Sequence, residues 1–105
     1  MLTLSQFSDI RSRCFDILSG FVGKKDTYDL SPRIHFNLGK IYDEFTFSEN
    51  DSPQIQVSKC GDNRNMYYIK FSVYTEYPSG MEETYWCEFN LDVGSDKKIV
   101  YCHEL

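Results

Sequence analysis

Positive charge is missing from two long windows of this sequence. Asp43 to Asp51 holds Asp43, Glu44, Glu49 and Asp51 with no Lys or Arg, and Phe71 to Asp96 holds Glu76, Glu82, Glu83, Glu88, Asp92 and Asp96, again with none. Grip on a phosphate backbone needs clustered Lys and Arg. Direct nucleic-acid binding is therefore not expected of this half of the chain, and docking on anionic membranes is disfavoured for the same reason. No stretch approaches the roughly 20 consecutive apolar residues of a membrane span. The opening MLTLSQFSDIRSRCF lacks a basic start followed by an apolar core, so no secretory signal is visible and the expected location is cytoplasmic. C-x-x-C pairs are absent: Cys14, Cys60, Cys87 and Cys102 are scattered, and His35 and His103 lie far apart. That spacing favours free thiols and offers no metal site and no cofactor motif.

What remains is enough for one domain, residues 1–105. Hydrophobic residues make up 41%, which excludes a disordered chain, and aromatics reach 16%. Rings at that density suit strands and interfaces. Charge is unevenly spread: residues 1–40 balance at +2 and residues 41–105 at −7, for a net −5.

Apolar periodicity predicts the elements. Residues 3–20 read as an amphipathic helix, with Leu4, Phe7, Ile10, Cys14, Phe15, Ile17 and Leu18 on one stripe, Arg11 interrupting it, Thr3 or Ser5 as cap and Gly20 as stop. Residues 20–32 read as a loop. Residues 31–38 alternate, with Ile34, Phe36 and Leu38 on one side, and predict a strand; the segment 42–47 either extends it or forms a short helical turn, and its β-branched and aromatic content favours the extension. Further strands are expected over 54–60, 66–77, 84–93 and 98–102, separated by turns at SENDSP, GDNRN, PSG and GSDK. The fold class is α+β: an N-terminal helix packed on a four- to five-stranded antiparallel meander sheet, because short turns join antiparallel neighbours.

Alternation also sorts the two clearest strands by face. Tyr67, Ile69, Phe71 and Val73, with Tyr85, Cys87, Phe89, Leu91 and Val93, point inward. Face parity then allows Trp86 to lie opposite Ser72 or Tyr74, and Glu88 opposite Lys70 or Ser72. Either register gathers Tyr68, Tyr74 and Trp86 among Glu76, Glu88 and Asp92, with Glu82 and Glu83 at the turn. Trp and Tyr ringed by carboxylates suit a face that meets a basic protein. Together with the Asp43–Asp51 window, the candidate partner-binding residues are Asp43, Glu44, Glu49, Asp51, Tyr74, Glu76, Glu82, Glu83, Trp86, Glu88 and Asp92. Catalysis is not expected. Glu82 and Glu83, like Asp43 and Glu44, are adjacent and diverge on a strand, and so do Cys102 and His103.

The acidic run Asp43–Asp51, the stretch Tyr74–Asp92, the N-terminal helix, the acidic antiparallel sheet and the missing catalytic motif together resemble bacterial immunity proteins of contact-dependent growth inhibition and related polymorphic toxin systems. The resemblance implies a non-enzymatic inhibitor, monomeric or a small homo-oligomer. It would bind a cognate toxin, often a nuclease, whose basic cleft an acidic sheet could fill. Two other classes are open: a cystatin-like or nuclear-transport-factor-like domain with a ligand pocket near His35, Tyr42 and Asp43, and an acidic secretion chaperone.

Overall fold

The computed structural model describes residues 2–60, 62 and 65–105; most of the turn expected over residues 61–65 lies outside that set. Helix α1 spans Leu4–Ser19. A reciprocal capping box opens it: the Gln6 amide donates to Thr3 Oγ1 at 3.1 Å, and the Thr3 amide donates to Gln6 Oε1 at 2.8 Å. Phe7, Ile10, Cys14, Ile17 and Leu18 form its buried stripe. Leu4 and Phe15, expected on that stripe, lie at its margins and are exposed.

Residues 31–38 are not a strand. They form helix α2, Ser31–Leu38, with Pro32 in its first turn. Pro fits there because its missing N–H has no intrahelical partner at that position. Ile34 and Leu38, one turn apart, are fully buried, while Phe36 is 79% exposed. Alternation places all three on one face; a helix places Phe36 opposite the other two, and burial follows the helix. The expected extension over 42–47 is also not a strand: Ile41–Glu44 is a short helix, α3, anchored by buried Ile41.

The sheet has four strands, β1 Asp51–Cys60, β2 Met66–Glu76, β3 Glu82–Val93 and β4 Ile99–Glu104, in the order β1-β2-β3-β4. It is an antiparallel meander, with the fifth candidate strand diverted into α2. The hairpin between β2 and β3 turns at Gly80, whose φ of 89° suits glycine. Its register is one of the two that parity allows: Trp86 faces Ser72 and Glu88 faces Lys70. Tyr67, Ile69, Phe71, Val73, Phe89 and Leu91 are fully buried against the helices. Cys14 and Cys87 are buried in that core, and the neighbouring Cys87 thiol together with burial pushes the Cys14 thiol above its ordinary range.

A polar cluster lies inside this layer. Asp26, on the loop between α1 and α2, accepts from the Tyr67 hydroxyl and from Lys59 Nζ, the latter at 2.5 Å. The Leu30 amide donates to the same Tyr67 oxygen at 2.9 Å. A carboxylate, an ammonium and a phenol thereby satisfy one another and tie the loop to β1 and β2. No helix among the described residues is long and apolar enough to cross a membrane.

Candidate functional site

All the helices that touch the sheet pack against its inner side, which leaves the other side bare. Pleating decides which residues it presents: Tyr68, Lys70, Ser72, Tyr74 and Glu76 of β2, and Glu82, Thr84, Trp86, Glu88, Asn90 and Asp92 of β3. Strand β1 adds Ser52, Gln54, Gln56 and Ser58, and β4 adds Tyr101 and His103. Trp86 is 54% exposed and Tyr101 57%.

The two ends of this face differ. At one end, hydrogen bonds occupy the carboxylates. Tyr68 donates to Glu88 Oε2 at 2.7 Å, with Lys70 opposite Glu88 on the neighbouring strand. His103 Nε2 lies 2.7 Å from Asp92 Oδ2, and its ring stacks on Tyr101 with centroids 4.2 Å apart. The Glu88 carboxylate, assisted by burial, pushes the Tyr68 phenol up to about 12, so Tyr68 stays a donor throughout the physiological range.

At the other end, Glu76 and Glu82 lie directly opposite each other beside the hairpin turn. Like charges in that relation destabilise a sheet. Glu49 joins them in a cleft of about 360 Å³ lined also by Asn50, Ser52, Tyr74 and Tyr77. No Lys or Arg among the described residues forms an ion pair with Glu49, Glu76 or Glu82. The Glu82 carboxylate pushes the Tyr74 phenol up to about 12. Trp86 stands one outward position from Thr84 and two from Glu82, on the stretch of β3 that β4 does not reach.

The eleven residues singled out from the sequence do not all meet. Tyr74, Glu76, Glu82, Trp86, Glu88 and Asp92 share the outer face, and Glu49 reaches it through the cleft. Glu83 has the opposite parity: it faces Thr75 on the helix side, where its carboxylate lies 3.4 Å from the Tyr77 hydroxyl. Asp43 and Glu44 ride on α3, away from the sheet's bare side. Glu44 is held by Arg13 through two hydrogen bonds of 2.6 and 2.8 Å, and that guanidinium keeps its carboxyl below the usual range.

Asp51 is buried and turned inward. It accepts from Thr75 Oγ1 at 2.6 Å, the Ser48 amide at 2.8 Å and Ser48 Oγ at 3.0 Å. Desolvation pushes its carboxyl upward, but these hydrogen bonds outweigh it and hold the group below its ordinary value. Asp51 is a clamp at the start of β1, out of reach of a docking protein.

The ligand-pocket candidates are dispersed. His35 borders a groove beside Ile55 and Val57, whereas the Tyr42 ring packs at 6.4 Å from both Phe47 and Phe71. The sequence reading missed Tyr101 and His103 as members of the outer face. Continuing the alternation past Cys102, which points inward, would have found them. Comparison with protein-family models, curated proteins and solved structures finds no match.

Proposed function

We propose that this chain is a binding protein that captures a basic protein on the bare face of its sheet, as an immunity protein captures and blocks a cognate toxin, a nuclease being the favoured class. The carrying observation is the hairpin end of that face. Exposed Trp86 stands on the same face two outward positions along β3 from Glu82, which lies opposite Glu76, and neither carboxylate forms an ion pair with a Lys or Arg among the described residues. A partner that brings Lys or Arg there relieves the repulsion and desolvates the indole. Trp is a preferred anchor at interface centres, and carboxylates around it accelerate capture of a positive surface. A nuclease cleft that holds phosphates has the matching sign.

The test is co-expression with the product of the adjacent gene, followed by measurement of affinity and of rescue from toxicity. A stoichiometric complex that Trp86→Ala weakens by about 2 kcal/mol supports the reading. Rescue and affinity unchanged in Trp86→Ala would remove the outer face as the site, and the absence of any complex with a basic protein would remove the inhibitor reading itself.

A further inference from the structure

Cations are as unevenly placed in this molecule as acids. Two adjoining clefts, of about 300 and 210 Å³, lie between α1, α2 and the loop that joins them, and Phe21, Lys24 and Arg33 line both. Arg13 and Lys40 line the first and Lys25 the second. Five of the eleven Lys and Arg residues of the chain thus meet in one trough. Among the described residues, no Asp or Glu lines either cleft, and neither does any strand residue. The trough therefore belongs to the helix side of the molecule, apart from the bare face of the sheet.

We propose that this trough is an anion site for a compact polyphosphate, free or carried on a small organic group, with phosphate held between Lys24 and Arg33. The cations there are largely unspent. Lys24, Lys25, Arg33 and Lys40 form no ion pair with an Asp or Glu among the described residues. Arg13 is tied to Glu44, whose carboxyl Lys40 also helps to hold down. Two of the placements do not serve the fold. Arg33 stands in the first turn of α2, where the helix dipole disfavours a cation. Lys25 lies opposite Lys98 across an isolated antiparallel bridge, the like-charge relation of Glu76 and Glu82 with the sign reversed. A bound anion offsets both.

The backbone under these side chains is fixed. The Ile99 amide donates to the Lys24 carbonyl, the Gly23 amide to the Ile99 carbonyl and the Asp26 amide to the Lys97 carbonyl, so the loop that carries Lys24 and Lys25 is fastened to β4 and the turn before it. Donors on a fixed backbone lose less freedom when a ligand arrives. Buried Phe21 gives the trough an apolar wall. Tyr28, 60% exposed, stands in the second cleft with its hydroxyl 3.3 Å from Arg33 Nη1, a ring against which an organic group could lie. Charge favours a small ligand over a polymer. Outside the trough six cations are set against sixteen acids, so a nucleic-acid backbone that ran past the five would meet repulsion. A compact anion senses chiefly the trough, because charges beyond about 8 Å are screened at physiological ionic strength. The site does not depend on the proposed protein partner, which would dock on the other side of the sheet.

Isothermal titration calorimetry with ATP and with inorganic pyrophosphate tests the site. Both should bind saturably. Lys24→Gln and Arg33→Gln should each weaken binding by about tenfold while far-UV circular dichroism stays native, since each removes a charge-assisted donor. Lys70→Gln, on the bare face, should leave binding unchanged. Tighter binding of ATP, lost in Tyr28→Ala, identifies an organic phosphate; equal affinity for the two probes identifies a free one, and either result supports the site. The absence of saturable binding of both probes up to millimolar concentration overturns the proposal. So does binding that neither glutamine variant weakens, or binding of a single-stranded oligonucleotide or of anionic vesicles when neither small phosphate binds.

Discussion

Tyr67 and Tyr68 are adjacent on β2, and each gives its hydroxyl to a carboxylate, Tyr67 to Asp26 and Tyr68 to Glu88. The inner pair is completed by Lys59, so the buried negative charge is matched within the chain. On the outer face, matching stops partway along the sheet. Glu88 has Lys70 opposite and Asp92 has His103, but Glu49, Glu76 and Glu82 at the hairpin end form no pair with a Lys or Arg among the described residues. An interior cannot tolerate an unmatched charge; a surface can, at a cost of a few tenths of a kcal/mol to about 1 per opposed pair. The contrast separates acids that serve the fold from acids available to something else.

The contrast breaks most sharply in the core. Phe71→Ala, inside the inner layer, should destabilise the protein by about 3–5 kcal/mol, read from denaturant midpoints. Trp86→Ala on the outer layer should leave the unfolding curve within about 0.5 kcal/mol of the parent. Equal losses would mean that the indole packs as structure. Asp26→Ala comes next. It removes the carboxylate that Lys59 and the Tyr67 hydroxyl share in a mostly buried site and should cost about 3 kcal/mol. Restoring stability with Lys59→Met in the same chain would confirm that the ammonium deprived of this carboxylate is the cause.

Asp51 sharpens the comparison from the acid side, since it lay in an acidic window yet serves the fold. Its folded carboxyl is held below the unfolded value, so the stabilisation is complete above that ordinary value, near 4, and is lost as pH falls through the folded one. Asp51→Asn should lower stability at pH 7 by about 1–2 kcal/mol and flatten the acid limb of the stability profile. An unchanged profile would deny the clamp.

The smallest effect has the opposite sign. Glu82→Lys converts an opposed like pair into a salt bridge with Glu76 and should stabilise the free protein by a few tenths of a kcal/mol. The Tyr74 phenol should return from about 12 toward its ordinary 10 in an absorbance titration. Association with a basic partner should slow, most visibly at low salt. A gain in stability without slower capture would mean that these acids do not face the partner.

Most of the sheet could be read from the chain alone. In β2 and β3, strict alternation of large apolar and polar residues over ten or so positions allows only one set of inward faces. Parity then narrowed Trp86 and Glu88 to two registers, one of which is observed. The helical stripe of α1 was equally legible, since Phe7, Ile10, Cys14, Ile17 and Leu18 recur at a period no strand shares. Residues 31–38 were ambiguous because Ile34 and Leu38 satisfy both periods. The tie fell to Phe36, whose exposure no local rule predicts, although Pro32 at a helix start was a hint.

The roles of the acids followed a similar division. Composition placed carboxylates in two windows but could not say which had partners, because those partners are distant in sequence: Arg13 for Glu44 and Thr75 for Asp51. Alternation and charge along the chain determined a half-bare antiparallel sheet with rings and acids on one side. Tertiary structure decided which acids are neutralised and that α2 closes the inner layer. Those outcomes depend on contacts between segments, and a periodic pattern records only which way a side chain points, not what it meets.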